Sequence, residues 1–266
     1  MATLSACIQG IGLLGPGLNG WAGAVAVLQG ELPYRAARTV LPLPQMLPPT
    51  ERRRAGRITR LALSVGAEAV AHAAVDARTL PTVFTSSGGD GDNCHEICRS
   101  LASNDRQLSP TRFHNSVHNA PAGYWGIAYG CTAASSALCG HDASFGAGLL
   151  EALAQLHGGA EAVLLLAYDA DYPQPLHAKR PIPDAFGVAL ALAPATSARA
   201  LALVRIGLSA AAATPMAEPA LEALRAAVPA ARCLPLLECL ARRRSRQVVL
   251  DYLDGARLAV DVEVEF

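Results

Sequence analysis

The chain has 266 residues, of which 52% are hydrophobic and 17% are charged, and its formal net charge is +0 at pH 7. The hydrophobic content is enough for a large buried core, and the neutral charge argues against a general nucleic-acid binder. An apolar chain with so few charges is expected to expose apolar surface, and such surface predicts a partner subunit. Its seven cysteines are an odd number, no secretory signal is visible, and no apolar run is long enough to span a bilayer. We therefore expect a reducing, cytoplasmic location, no membrane span and no nucleic-acid partner.

The chain begins with an apolar segment, 3–17, that predicts a strand ending in a glycine turn. Asn19 follows as a candidate cap for a helix over 20–29. Residues 38–49 are broken by prolines and predict irregular structure. The alanine-rich segment 51–77 has the strongest helical pattern in the chain.

The middle of the chain alternates between the two kinds of structure. Residues 80–89 predict a strand that runs into a glycine turn, and 93–103 predict a short helix. A proline–glycine break in 115–130 precedes a second segment rich in small residues, which is compatible with a helix or a strand. Residues 131–138 predict a strand. The segment 144–158 is apolar on nearly every face, which predicts a buried helix.

The last third continues this alternation and ends in a hairpin. We predict strands at 161–171, 186–195 and 198–210, and helices at 218–228 and 233–244. The segment 247–266 predicts a hairpin with Asp254 and Gly255 as its two-residue turn. Strands that alternate with buried helices indicate a layered α/β fold.

A glycine pattern at Gly10, Gly12 and Gly15 matches the dinucleotide-binding fingerprint. That fingerprint requires a helix to begin within it, whereas Pro16 and Gly17 follow here, so a structural turn is the better interpretation. We therefore expect no nucleotide cofactor.

Metal ligands are the other cofactor that the sequence raises. Cys94 and Cys98 lie on one helical face, but His95 points elsewhere and no second pair has suitable spacing. The pair His114 and His118 lacks the glutamate of a zinc-protease motif. We therefore expect no metal site and no cofactor.

A serine hydrolase is a further alternative. The stretch DASFG, 142–146, approaches the nucleophile-elbow pattern and makes Ser144 a candidate nucleophile. Asp169 or Asp171 and then His177 follow in the order that such enzymes use. No oxyanion motif precedes them, and little chain separates His177 from the acids.

The order of motifs resembles the beta-ketoacyl synthases of the thiolase-like fold. The stretch IQGIGLLGPGLNGWAGAVAVLQG is similar to their first strand, glycine turn and first helix. FHNSVHNAPAGYWGIAYG, 113–130, is similar to the segment that leads to their nucleophile, with Asn119, Ala120 and Gly123 matching. GGAEAVLLLAYDAD resembles the strand behind their active site. The resemblance implies the N-terminal half of a synthase over 1–210 and a reduced C-terminal part over 211–266, in which two helices and a hairpin pack on the same core.

Two departures from the family pattern bear on activity. A synthase of this family needs a cysteine at the start of a buried helix and two histidines in its second half. This chain has no histidine after Ala210. Counting from Gly130 places Cys139 at the nucleophile position, whereas counting back from Gly158 places His141 there. The resemblance leaves open which of the two occupies it.

A shortened synthase without these histidines resembles the chain length factors, in particular the short form of aryl polyene pigment pathways. The resemblance implies a non-catalytic subunit that pairs with a catalytic ketosynthase, limits the acyl tunnel and works with acyl carrier protein. It implies no catalytic residue in this chain. An active ketosynthase or acyltransferase using Cys139 is the second hypothesis, and the Ser144 hydrolase is the third.

The resemblance also assigns candidate positions. Bulky residues near the nucleophile position are candidate tunnel walls: Phe113, Tyr124, Trp125, His141 and Phe145. The strand 131–138 is the candidate dimer interface, with small residues that permit close approach: Thr132, Ala134, Ser135 and Ser136. Two arginine groups are candidate contacts for the acidic carrier protein: Arg52, Arg53, Arg54, Arg57 and Arg60, and Arg242, Arg243, Arg244 and Arg246.

Overall fold

A computed structural model describes residues 3–264 of the chain. Its strands are β1 Leu4–Gly15, β2 Leu18–Asn19, β3 Thr82–Thr85, β4 Ser135–Leu138, β5 Val163–Asp169, β6 Phe186–Ala193, β7 Ala202–Ser209, β8 Arg246–Leu253 and β9 Ala256–Glu263. Its α-helices are α1 Trp21–Gln29, α2 Pro49–Arg54, α3 Arg57–Ala73, α4 Gly91–Leu101, α5 Pro110–His114, α6 Ala120–Tyr129, α7 Ser144–His157, α8 Leu176–Lys179, α9 Pro219–Ala227 and α10 Leu234–Ala241. Short 3-10 helices cover His141–Ala143 and Pro229–Cys233.

All the strands belong to one mixed sheet. Its order is β4-β3-β5-β6-β1-β7-β9-β8, and β2 pairs with the end of β1. The β4–β3 and β3–β5 pairs are parallel, and the other pairs are antiparallel. Every residue of β5 and β6 is buried, as their uninterrupted apolar sequences predict for strands covered on both faces.

Helices cover both faces of this sheet. Side chains from α3 and α6 form the apolar layer on one face. On the other face, α7 packs with α1, α9, α10 and the second 3-10 helix in a larger apolar cluster. The predicted hairpin is confirmed through Glu263, with Gly255 in a left-handed turn at φ 77°. Because β9 pairs with β7, the hairpin extends the sheet; its predicted end at 265–266 lies outside the described residues.

The predicted helix over 51–77 is two helices. α2 ends at Arg54 because Ala55 adopts an extended conformation, and α3 begins after Gly56. A side chain at Gly56 would come within 2.8 Å of an Asp90 carboxylate oxygen, so the chain passes closely here. At the other end, α3 stops at Ala73 because Ala74 takes a left-handed conformation, at φ 52°.

The start of α1 also differs from the prediction, which placed a cap at Asn19. The N-cap residue of α1 is Gly20, which has no side chain that could cap the helix. The Glu68 carboxylate on α3 accepts from the Trp21 N–H at 2.6 Å and from the Leu13 N–H at 2.8 Å. A distant carboxylate thus satisfies this helix start and a strand amide together.

The glycine pattern of β1 serves helix packing. A Cβ atom at Gly12 would lie 1.9 Å from the Val65 carbonyl oxygen, and one at Gly10 would lie 2.2 Å from the Ala69 carbonyl oxygen. Only glycine allows α3 to approach β1 this closely. These close contacts are a structural reason for the glycine pattern.

Candidate functional site

A strand–turn–helix elbow connects β4 to α7. After Leu138 the chain passes through Cys139 and Gly140 and reaches His141, which has a left-handed φ of 52°. This conformation is strained for a residue with a side chain and is found mainly at turns and functional sites. The His141 side chain is 73% exposed, and His141 is the first residue of the 3-10 helix that precedes α7. The left-handed conformation of the elbow therefore falls on His141, two residues after Cys139.

The Ser144 side chain forms hydrogen bonds within the elbow. Its hydroxyl donates to the His141 carbonyl oxygen at 2.7 Å and accepts from the Gly140 N–H at 3.1 Å. The residue is buried, and its hydroxyl has no recorded hydrogen bond to His177 within the described residues. The geometry gives Ser144 a structural role in the turn.

The carboxylates proposed for a hydrolase have other partners. Asp169 accepts hydrogen bonds from the Ser86 and Ser87 hydroxyls and from the N–H groups of Ser87 and Ala230. Burial raises the pKa of this carboxyl although these donors oppose the change. Its hydrogen bonds join the end of β5 to the turn after β3 and to the second 3-10 helix. Asp171 pairs with Arg38 and Arg57 instead.

Asp142 is an acid at the elbow whose partners the sequence analysis did not identify. Arg180 contacts one of its carboxylate oxygens at 2.5 Å, and Arg232 contacts the other at 3.0 Å. Arg232 also donates to the Asp142 carbonyl oxygen at 2.9 Å. Burial opposes ionisation, but the Arg180 hydrogen bond and the Arg232 charge leave the pKa of Asp142 below its ordinary value. No local motif marks these arginines, since they lie 38 and 90 residues further along the chain.

Cys139 lies two residues before the left-handed turn and is exposed. Its thiol donates to the Ser87 carbonyl oxygen at 3.2 Å. His118 contacts the residue before Cys139: its Nε2 lies 2.8 Å from the Leu138 carbonyl oxygen and must donate to it. Cys139 therefore lies before the left-handed turn, and both its thiol and this His118 nitrogen donate to backbone carbonyl oxygens.

β4 forms an open edge of the sheet. The carbonyl oxygens of Ala134 and Leu138 accept from β3 and the residue after it, at 3.0 and 3.2 Å. In a parallel pair, alternate residues direct their backbone groups to opposite sides. Ser135 and Ala137 thus direct their N–H and C=O groups away from β3, and no other strand within residues 3–264 pairs with β4.

The predicted interface residues occupy different parts of this edge. Thr132 and Ala134 precede the strand, which begins at Ser135 rather than at 131, and both are exposed. Ser135 Oγ accepts from Thr82 at 2.8 Å. Ser136 faces α7 on the other side of the sheet. Exposed apolar side chains also lie in the segment that leads to β4: Leu101, Phe113, Val117 and Ile127.

The candidate tunnel residues separate into two groups. Phe113 is 66% exposed, and His141 is also on the surface. Tyr124 and Trp125 are sealed in the α3–α6 layer, where Trp125 packs on Gly66. Phe145 is buried in the cluster on the opposite face of the sheet. The five residues therefore do not form one wall within this chain.

Most of the candidate arginines contact their own chain. In the first group, Arg52 and Arg60 donate to nearby carbonyl oxygens, Arg54 pairs with Glu51, and Arg57 pairs with acids after β5. In the second group, Glu238 binds both Arg242 and Arg246. Within these two groups, the exposed arginines that pair with no acidic side chain of the described residues are Arg53, Arg243 and Arg244.

The described part of the chain meets the requirements of neither a metal site nor a membrane-spanning helix. Residues 3–264 contain no cluster of three potential metal ligands among histidine, cysteine, aspartate and glutamate side chains. Within the same range, each helix is too short or too polar to cross a membrane.

Solved structures share this architecture. A ketosynthase (ApeO) in complex with its chain length factor (ApeC) from Xenorhabdus doucetiae matches with a TM-score of 0.75 and 24% identity, over 97% of this chain and 99% of that chain. The ishigamide ketosynthase/chain length factor matches with a TM-score of 0.74 and 17% identity, over 98% and 100%. A type II PKS acyl-carrier protein complex with its ketosynthase (AntDE:AntF) matches with a TM-score of 0.77 and 10% identity, over 99% and 100%. The predicted layered α/β fold of thiolase-like type is confirmed.

The family follows from the sequence itself. Residues 29–251 match the model of the beta-ketoacyl synthase N-terminal domain, which is most of the chain. The chain therefore belongs to the beta-ketoacyl synthase family. No curated protein matches it.

Proposed function

We propose that this chain is the non-catalytic, chain-length-factor subunit of a heterodimeric beta-ketoacyl-acyl carrier protein synthase. One observation carries the proposal: the elbow before α7 holds His141 in the strained position and leaves Cys139 outside the turn. A synthase nucleophile requires the thiol at the helix start, where the helix dipole favours a thiolate. The chain also has no histidine after His177 to assist such a thiolate.

The partner in this proposal is a catalytic ketosynthase, which supplies the cysteine and the histidines. Its strand adds to the open edge of β4, where Ser135 and Ala137 offer unpaired backbone groups. The exposed apolar side chains of α5 and α6 flank the elements that lead to this edge, which supports burial of that region against a partner.

The proposed role of this subunit is to close the far end of the partner's acyl tunnel. Phe113 and His141 are the surface residues that we retain for this wall, because the other three candidates are sealed in the core. The carrier protein brings the malonyl unit and the growing chain, and the exposed Arg53, Arg243 and Arg244 are candidate contacts for it. The seven free thiols support a cytoplasmic complex, and polyene-like chain elongation is the proposed pathway class.

A reconstituted condensation assay tests the proposal. The chain is purified alone and together with the ketosynthase encoded in its genomic neighbourhood, and condensation from malonyl carrier protein is measured. We expect activity only from the pair, retained in Cys139→Ala and in Ser144→Ala, and lost when the ketosynthase nucleophile is replaced.

Three results would contradict the proposal. Condensation by the chain alone that Cys139→Ala abolishes would make it an active synthase. Ester hydrolysis by the chain alone that Ser144→Ala abolishes would make it a hydrolase. A pair whose activity equals that of the ketosynthase alone would leave no role for this subunit.

A further inference from the structure

The Glu151 carboxylate on α7 lies beside the open edge of β4. Ser136 Oγ donates to it at 3.2 Å, and Gln155 Nε2 donates to the same oxygen at 2.8 Å. Gln155 also donates to Ser136 Oγ at 3.3 Å, so the three side chains form one cluster. No lysine, arginine or histidine within residues 3–264 forms an ion pair with Glu151. The hydrogen bonds to this half-buried carboxylate thus come from neutral side chains.

Two copies of this chain would bring these clusters together. An isologous dimer through β4 pairs the edge strands antiparallel about a two-fold axis. In the register that joins Ser135 of one copy to Ala137 of the other, Ser136 lies opposite itself. In each copy, Ser136 is hydrogen-bonded to the Glu151 carboxylate, and both carboxylates lie on the same face of the paired sheet. Like charges that face each other across a strand pair are destabilising.

Covering β4 also removes water from Glu151. A carboxylate that loses its water without gaining a cation carries a desolvation cost, whereas a hydrogen-bonded cation offsets that cost. A partner with a lysine or arginine opposite Glu151 would therefore bind better than a second copy of this chain. Such a partner would be complementary in both backbone and charge.

We propose that Glu151 is a partner-selecting residue at the β4 edge. It disfavours self-pairing and favours a non-identical ketosynthase subunit that presents a cationic side chain to the Ser136–Glu151–Gln155 cluster. This inference rests on the proposed heterodimer and adds to it the chemistry that distinguishes the correct partner from a second copy.

The test measures two associations for one substitution. Glu151→Gln preserves the shape and the acceptor for Ser136 and Gln155 but removes the charge. We expect self-association, measured by sedimentation equilibrium, to become about tenfold tighter, and affinity for the neighbouring ketosynthase to become about tenfold weaker. Asp254→Asn is the matched control, because it removes one negative charge from the exposed turn of the β8–β9 hairpin and should change neither association.

A second variant tests the sign of the charge. Glu151→Lys should weaken ketosynthase binding by more than about 100-fold through repulsion of the partner's cation, without tightening self-association. The inference would be overturned if Glu151→Gln strengthened both self-association and ketosynthase binding, weakened both, or changed neither.

The substitution Ala137→Pro separates failure of this inference from failure of the heterodimer. If Ala137→Pro abolishes ketosynthase binding while both Glu151 variants bind normally, the interface stands and the role of Glu151 is wrong. If Ala137→Pro leaves ketosynthase binding unchanged, the β4 interface itself is wrong.

Discussion

The two edges of the sheet differ in how their backbone groups are satisfied. At the β8 edge, the Val249 N–H donates to Thr214 Oγ1 at 2.9 Å, and the Val249 carbonyl accepts from the Thr214 N–H at 2.8 Å. At the β4 edge, Ser135 and Ala137 have no such cover in the described residues. The loop at Thr214 covers Val249, in the middle of the β8 edge, whereas Ser135 and Ala137 of the β4 edge stay available. An unguarded edge is a template for another strand, which supports β4 as the proposed interface.

Side chains reinforce this difference. β4 consists of small, uncharged residues apart from Leu138, whereas β8 begins with Arg246 and Gln247. The β8 register also shifts between Asp251 and Leu253. Charges and irregular register discourage edge-to-edge association, and neither is present in β4.

The largest expected effect comes from a proline in the open edge. Ala137→Pro removes an outward N–H and places a ring where the partner strand would lie, while leaving the bonds to β3 intact. We expect ketosynthase affinity, measured by titration calorimetry, to fall by at least about 100-fold with little change in the midpoint of thermal unfolding.

The adjacent residue provides the control for this substitution. Ser136 directs its backbone groups toward β3, so Ser136→Pro should lower the free energy of unfolding by about 3 kcal/mol. Equal effects of the two prolines on stability would show that the assignment of the outward residues is wrong.

A smaller effect is expected at the covered edge. Thr214→Val removes the acceptor for the Val249 N–H, which is then left without its hydrogen bond. The free energy of unfolding, measured with urea, should fall by about 1 kcal/mol, and ketosynthase affinity should not change. A large loss of ketosynthase affinity would mean that the β8 edge also takes part in the interface.

The smallest effect concerns the elbow that follows β4. Arg180 and Arg232 lower the pKa of Asp142, so its contribution to stability is present above the unfolded pKa of about 4 and disappears as the pH falls through the lower folded value. Asp142→Asn should cost under about 1 kcal/mol at pH 7, because the Asp142 side chain is 40% exposed and solvent screens the pairs.

Urea unfolding of the wild type and Asp142→Asn at a series of pH values measures this contribution. The difference between the two should stay constant from pH 7 to about pH 5 and shrink below about pH 4. A difference that grows as the pH falls would show that the carboxylate is not stabilised in its charged form.

Local patterns predicted the elements whose environment is uniform. The apolar runs of β5 and β6 and the Asp254–Gly255 hairpin turn are confirmed, because burial on both faces and a left-handed glycine each leave a direct trace in the sequence. The buried helix α7 is confirmed for the same reason.

Predictions that depended on distant contacts were less accurate. The cap of α1 is the carboxylate of Glu68, 47 residues after the amide that it binds, so no local pattern could identify it. The candidate wall residues Trp125 and Phe145 are close in the sequence but lie on opposite faces of the sheet. Spacing along the chain does not predict which face of a sheet a helix covers.

The sequence by itself determined the family, the layered α/β class and the strand–turn–helix elbow, because apolar periodicity and turn residues are local properties. Only the tertiary structure decided that His141 holds the strained position, that Asp142 is bound by Arg180 and Arg232, and that β4 is the open edge. These features depend on the order of strands in the sheet and on contacts between distant segments, which arise only when the chain packs.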